Sequence, residues 1–126
     1  VLQIGGAILG VILANYIFSI EPIQFSEKSR SGTHLFVSEI LATFGLVLII
    51  LLSSKEKVAM TVAAYIGGAY WFTSSTSFAN PAGTIGRSFS NTFAGISPDD
   101  ILHFCVAQVI GAFLAYTLHK NWFQKS

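Results

Sequence analysis

Charge is what this sequence lacks. Only 10% of its 126 residues are charged, 52% are hydrophobic, and the mean hydropathy is +0.64. Soluble domains carry about 25% charged residues, so the scarcity argues against an ordinary soluble domain and points to a membrane protein. A net charge of +1 gives no electrostatic reason to expect nucleic acid as a partner. The chain has one cysteine, Cys105, so no internal disulfide can form; within its apolar run it reads as a small buried residue. Nor does the sequence offer a nucleophile–base pair or a metal-ligand cluster. His103 and His119 are far apart in register, have no accompanying ligand set, and read as interfacial or packed residues. No enzyme activity, metal or cofactor is therefore expected. The opening residues, VLQIGGAILG, show neither a basic leader nor an initiator Met, so they are not read as a signal peptide. A chain that starts inside an apolar segment is read as a fragment.

Long hydrophobic runs are what it has. Four of them predict membrane spans at about 1–20, 35–52, 58–74 and 101–119. At ~1.5 Å rise per residue, such runs reach roughly 24–30 Å, one hydrocarbon core. Lys55 and Lys57 follow the second run, and Lys120 and Lys125 follow the fourth; the first loop holds Lys28 and Arg30. Counting basic residues thus places the C-terminus in the cytoplasm by a narrow margin, in a multi-pass protein of the cell membrane.

Two of these runs resemble each other. Gln3–Gly10, "QIGGAILG", and Gln108–Ala115, "QVIGAFLA", share Gln, Gly-Ala, an apolar pair and a final small residue at the same spacing. Each sets small residues four apart, Gly6 with Gly10 and Gly111 with Ala115, which lets helix backbones approach closely in lipid. The match predicts a repeating unit of two spans, a polar re-entrant segment and a Gln-Gly-Ala span. On that reading, the chain holds one whole unit and only the closing span of an earlier one.

The re-entrant segment contains "TSFANPAGTIGR". Asn80 is a favoured N-cap and Pro81 is favoured at the first helical position. A helix over about 80–90, ~15 Å long, would cross half a bilayer and leave unpaired N–H groups near the midplane. Its positive dipole end disfavours cations there and presents donors to neutral polar solutes. Asn80-Pro81-Ala82, with its flanking order of spans and the Gln-Gly-Ala helices, resembles the signature of the aquaporin and aquaglyceroporin family. The resemblance covers essentially the whole chain, as spans three to six of that fold. It implies an all-α membrane protein: four transmembrane helices plus one re-entrant half-helix of an inverted-repeat bundle. It also implies a passive channel for small neutral solutes in a lipid bilayer, assembled as a homotetramer with a pore in each subunit. In that family the Asn80 amide would face the channel while its oxygen caps the helix.

The sequence also departs from the family pattern. Typical water channels place an arginine directly after this triplet; here the position is Gly83, and Arg87 follows one turn later. By the same comparison Ser77 and Gly68 occupy two further constriction positions. Gly68, Ser77 and Gly83 would leave a wide, weakly polar opening that admits water, glycerol-like polyols, urea or metalloid hydroxides. "NPAGTIGR" is similar to a bacterial branch with an apolar residue after the triplet and a later arginine, some members of which are linked to arsenite movement. Arg87 reads either as a displaced outer charge or as a clamp on loop carbonyls. Glu39 is the one acid inside a span, with Thr43 a turn along the same face. The resemblance implies that Glu39 accepts hydrogen bonds from N–H groups of the re-entrant loop. Ser97 and Asp100 read as a capping box for the last helix, and Phe78, Phe89 and Phe93 as packing around the half-helix. The alternative function is a secondary transporter with broken helices and ion coupling; a purely structural membrane protein ranks third.

Overall fold

The computed structural model describes residues 1–124; Lys125, counted in the basic balance above, lies outside them. Among the described residues every regular element is helical. They are α1 (Leu2–Ile17), α2 (Thr33–Leu52), α3 (Val58–Phe72), a short α4 (Pro81–Arg87) and α5 (Ile101–Leu118). A 3₁₀ turn, Pro98–Asp100, leads into α5, and a π-helical turn, His119–Phe123, follows it. The 20-residue α2 and the 26-residue stretch Pro98–Phe123 are long and apolar enough to cross a membrane, while α1 and α3 are shorter apolar helices.

Local chemistry sets the ends. α1 stops at Ile17 because Ser19 takes a left-handed conformation, φ 58°. The Ser19 N–H donates to the Tyr16 carbonyl at 3.1 Å and the Ile20 N–H to that of Asn15 at 3.0 Å. This is a Schellman closure with serine where glycine is usual. α2 starts two residues ahead of the expected boundary, from Gly32 at φ 121°. α3 ends at Phe72, where Thr73 turns extended and its hydroxyl donates to the Ala69 carbonyl at 2.6 Å. α4 is the largest departure: seven residues, about 10 Å, rather than a helix reaching Ser90. Beyond Arg87 the N–H groups of Ser88, Phe89 and Ser90 bond to carbonyls three residues back, and the Ser88 hydroxyl takes the Ile85 carbonyl at 2.7 Å. The chain tightens into turns and the α-helix ends.

The residues fall into two compact units, Val1–Ser31 with Asn80–Cys105, and Gly32–Ala79 with Val106–Ser126. In the first unit α4 lies against α1 so closely that a methyl group on Gly86 would stand 2.8 Å from the Ala7 Cβ. Ile96 and Phe104 are fully buried there. In the second unit Ala42, Ala69, Ala107 and Ala115 have no exposed surface. Gly111 sits on the backbone of Ile40 and Phe44, and the Tyr65 ring fills the space beside Gly45. Outward faces carry Leu9, Leu13, Val109 and Phe113, each more than half exposed. Such a surface suits lipid or further protein, not water.

Candidate functional site

In the first unit, Asn80 starts α4 from an extended conformation, φ −156° and ψ 116°. Its Oδ1 accepts from the N–H groups of Ala82 at 2.9 Å and Gly83 at 3.4 Å. Its backbone carbonyl accepts from the Thr84 N–H and hydroxyl, both at 2.9 Å. Pro81 at the first position has no N–H to satisfy. With the oxygen committed to the helix, the half-buried Asn80 still presents an Nδ2 amine, and no hydrogen bond engages that amine among the described residues. A methyl group on Gly83 would meet the Asn80 side chain at an ordinary 3.7 Å. Arg87 is half-buried in the last turn, where a cation complements the helix dipole.

The second unit centres on Glu39, which is fully buried. Its Oε2 accepts from the Phe78 N–H at 3.3 Å, and its Oε1 accepts from the Ala79 N–H and, at 2.9 Å, from the Gln108 Nε2. Thr76, Ser77 and Ala79 all have positive φ, between 48° and 61°. For residues other than glycine this costs on the order of 1–3 kcal/mol each. The turn aims consecutive N–H groups at one point, the geometry of an anion nest, and Glu39 fills it. Ser38 braces the same segment: its Oγ accepts from the Ser75 N–H at 3.1 Å, and the Ser75 Oγ accepts from the Ser77 N–H at 3.3 Å. The hydroxyls of Thr43 and Ser77 are buried without a partner among the described residues.

Several residues singled out from sequence meet directly. Glu39 binds Gln108, and the Thr43 Cβ stands 3.1 Å from where a Gly111 methyl group would be. Gly68, by contrast, is exposed, and a methyl group there would meet only the Phe72 ring, at 3.7 Å. The two repeat segments differ in their surroundings. Gln108, Gly111 and Ala115 are packed, whereas Gln3 is exposed and methyl groups on Gly6 or Gly10 would meet nothing within 4 Å.

Other expectations are corrected. Ser97 and Asp100 form no capping box, because the Ser97 N–H is taken by the Lys28 carbonyl at 2.7 Å and Asp100 turns to Arg30. Phe93 is 74% exposed rather than packed, with Lys28 over its ring at 5.9 Å. Phe89 does pack, against Phe25 at 5.2 Å, and Phe78 is buried. Cys105 is half-buried, His103 is exposed, and His119 stacks on Phe123. Among the described residues no group of three potential ligands could hold a metal.

Two hubs are not evident from the sequence. Asn15, in the last turn of α1, donates through Nδ2 to the carbonyls of Phe89 at 2.9 Å and Pro22 at 3.2 Å. Its Oδ1 accepts from the Ser90 hydroxyl at 2.8 Å. Arg30, 5% exposed, joins the α1–α2 loop to the segment after α4. A polar residue at the end of an apolar helix is the only sequence signal for Asn15. Arg30 shows merely as a loop cation.

Apolar helices long enough to cross a bilayer, a proline-led, Asn-capped short helix and a glutamate-filled nest are features of a helical membrane protein. Its relatives say which kind. The chain is 46% identical over 121 residues, 94% of its length, to aquaglyceroporin AqpS of Rhizobium meliloti (strain 1021). It is a segment of the aquaporin (major intrinsic protein) family. Aquaglyceroporins are membrane channels and not enzymes. The matched region is 52% of AqpS, so the chain spans about half the length of this relative. No family model and no solved structure matches.

Proposed function

We propose that the full-length protein is a passive channel for small uncharged solutes: water, glycerol-like polyols and metalloid hydroxides such as arsenite. The observation that carries this reading is Asn80. Its oxygen is consumed in capping α4 while its amine has no protein partner among the described residues, which is what a donor to a passing solute requires. In this reading Asn80, Pro81 and Ala82 form the pore motif, and Gly68, Ser77, Gly83 and Arg87 govern selectivity. The first three selectivity residues carry at most a hydroxymethyl group, so the opening admits more than water. Glu39 and Thr43 serve as scaffold for the segment leading to Asn80. The helices correspond to spans three to six; Gln108, Gly111 and Ala115 pack helices within this chain, and Gln3, Gly6 and Gly10, open here, pack against the remainder of the full-length protein. The assembly is a homotetramer in the cell membrane with the C-terminus cytoplasmic. The test is stopped-flow shrinkage and re-swelling of vesicles carrying the full-length protein, compared for water, glycerol and arsenous acid. Vesicles with permeabilities equal to protein-free controls would refute the reading.

A further inference from the structure

Outside the groups assigned above, the densest buried polar network lies in the first unit, around Arg30. Its Nε donates to the Gly95 carbonyl at 2.7 Å and its Nη2 to that of Phe93 at 2.8 Å. Its own N–H donates to the Asp100 Oδ2 at 2.6 Å, and the Ser29 hydroxyl reaches the same oxygen at 3.3 Å. Arg30 and Asp100 are 5% and 6% exposed. Around them the α1–α2 loop is laid along the segment that follows α4. The Ser26 N–H donates to the Ser88 carbonyl at 2.8 Å and the Glu27 N–H to the Asn91 Oδ1 at 3.0 Å. A side chain on Gly95 would collide with the Ser90 carbonyl and with the Ser26 side chain, so Gly95 is in contact with both residues.

A buried guanidinium is a costly thing to build into a connecting loop, and its fork of donors fixes two carbonyls at once. We propose that Arg30 is a positioning residue for solute selection. It pins the backbone at Phe93 and Gly95, contact passes the constraint to Ser90 and Ser88, and Ser88 caps α4. α4 is only about 10 Å long, so a shift at its end is carried as a rigid-body tilt to Asn80 and Gly83. This inference rests on the channel reading above.

The experiment measures water and glycerol permeability of the full-length protein in vesicles for wild type, Arg30→Gln, Arg30→Lys and Asp100→Asn, normalised to folded protein by size-exclusion chromatography. Arg30→Gln should shift the glycerol-to-water ratio by roughly threefold or more, the scale of one hydrogen bond gained or lost in a barrier. Arg30→Lys should shift it comparably, because an ammonium cannot span both carbonyls. Asp100→Asn, whose amide oxygen can still accept from the Arg30 N–H, should shift it less and in the same direction. An unchanged ratio in Arg30→Gln, with both permeabilities merely following folded yield, overturns the proposal. So does a wild-type ratio in Arg30→Lys, which would make the charge and not the fork the active feature. If Arg30→Gln yields no folded protein, Asp100→Asn decides, and a wild-type ratio there overturns the proposal. Wild-type vesicles that pass neither solute defeat the channel reading itself, a result separable from all of these.

Discussion

The Gln108 side-chain amide donates to Glu39 at 2.9 Å, on the same carboxylate oxygen that accepts the Ala79 N–H. One buried acid thereby ties α5, α2 and the strained turn before Asn80 into a single polar knot. Three donors converge on its two oxygens: the N–H groups of Phe78 and Ala79 and the Gln108 amide.

Glu39→Gln should loosen that knot. The new amide has one acceptor oxygen and brings an NH₂ group to a site made of donors, so at least one buried N–H loses its partner. That costs about 1–3 kcal/mol. Thermal unfolding of the purified full-length protein should show a lower Tm, with water and glycerol permeability falling in the same proportion. An unchanged Tm would mean that the three hydrogen bonds do not hold the turn.

Gly86 and Gly83 belong to one short helix and should respond oppositely to alanine. At Gly86 the added methyl group would lie 2.8 Å from the Ala7 Cβ and 2.9 Å from its carbonyl carbon. Overpacking of this kind costs about 1–3 kcal/mol. At Gly83 the same methyl group has ordinary contacts, and alanine favours a helix over glycine by roughly 1 kcal/mol. Tm should fall for Gly86→Ala and hold or rise for Gly83→Ala. The reverse order would show that α4 does not dock on α1 through Gly86.

These cases show what the sequence can disclose. Asn80 and Pro81 are legible because capping is local: the side chain and the N–H groups it accepts lie within three residues. Glu39 is legible because an acid in an apolar span is costly wherever it points. Arg30 and Asn15 are not, since the partners that make them hubs lie 63 to 75 residues away and depend on how the loops fold back; only Pro22, on Asn15, is local. Asp100 fits a local capping pattern, yet a distant backbone N–H competes successfully for its carboxylate. The extent of α4 is hidden for a related reason. Serines at 88 and 90 tolerate a helix or a turn, and only the Ser26 and Asn15 contacts select the turn.

Asn80→Asp separates capping from solute contact. Aspartate caps a helix as well as asparagine, so the folded yield and Tm should change little. The Nδ2 donor disappears and a carboxylate takes its place. Glycerol and water permeability should drop by roughly 2- to 10-fold, the equivalent of one hydrogen bond of 0.5–1.5 kcal/mol. Stopped-flow traces indistinguishable from wild type would remove Asn80 from the permeation path.

Gly83→Arg tests the aperture. Nothing within the first unit forbids a side chain at this position, because a Cβ there meets only the Asn80 side chain, at 3.7 and 3.9 Å. Glycine is thus not demanded by packing against α1, as it is at Gly86. If the missing side chain is what keeps the opening wide, an arginine should cut glycerol permeability far more than water permeability. A guanidinium also supplies donors that water can use as it passes, so water flux should survive. The glycerol-to-water ratio should fall roughly tenfold, equivalent to about 1.4 kcal/mol of added barrier for the larger solute. Arsenous acid, a neutral trihydroxide of similar girth to glycerol, should follow glycerol and not water. Equal losses for all three solutes would point to damaged folding, and no loss for any would place Gly83 away from the narrowest point of the path.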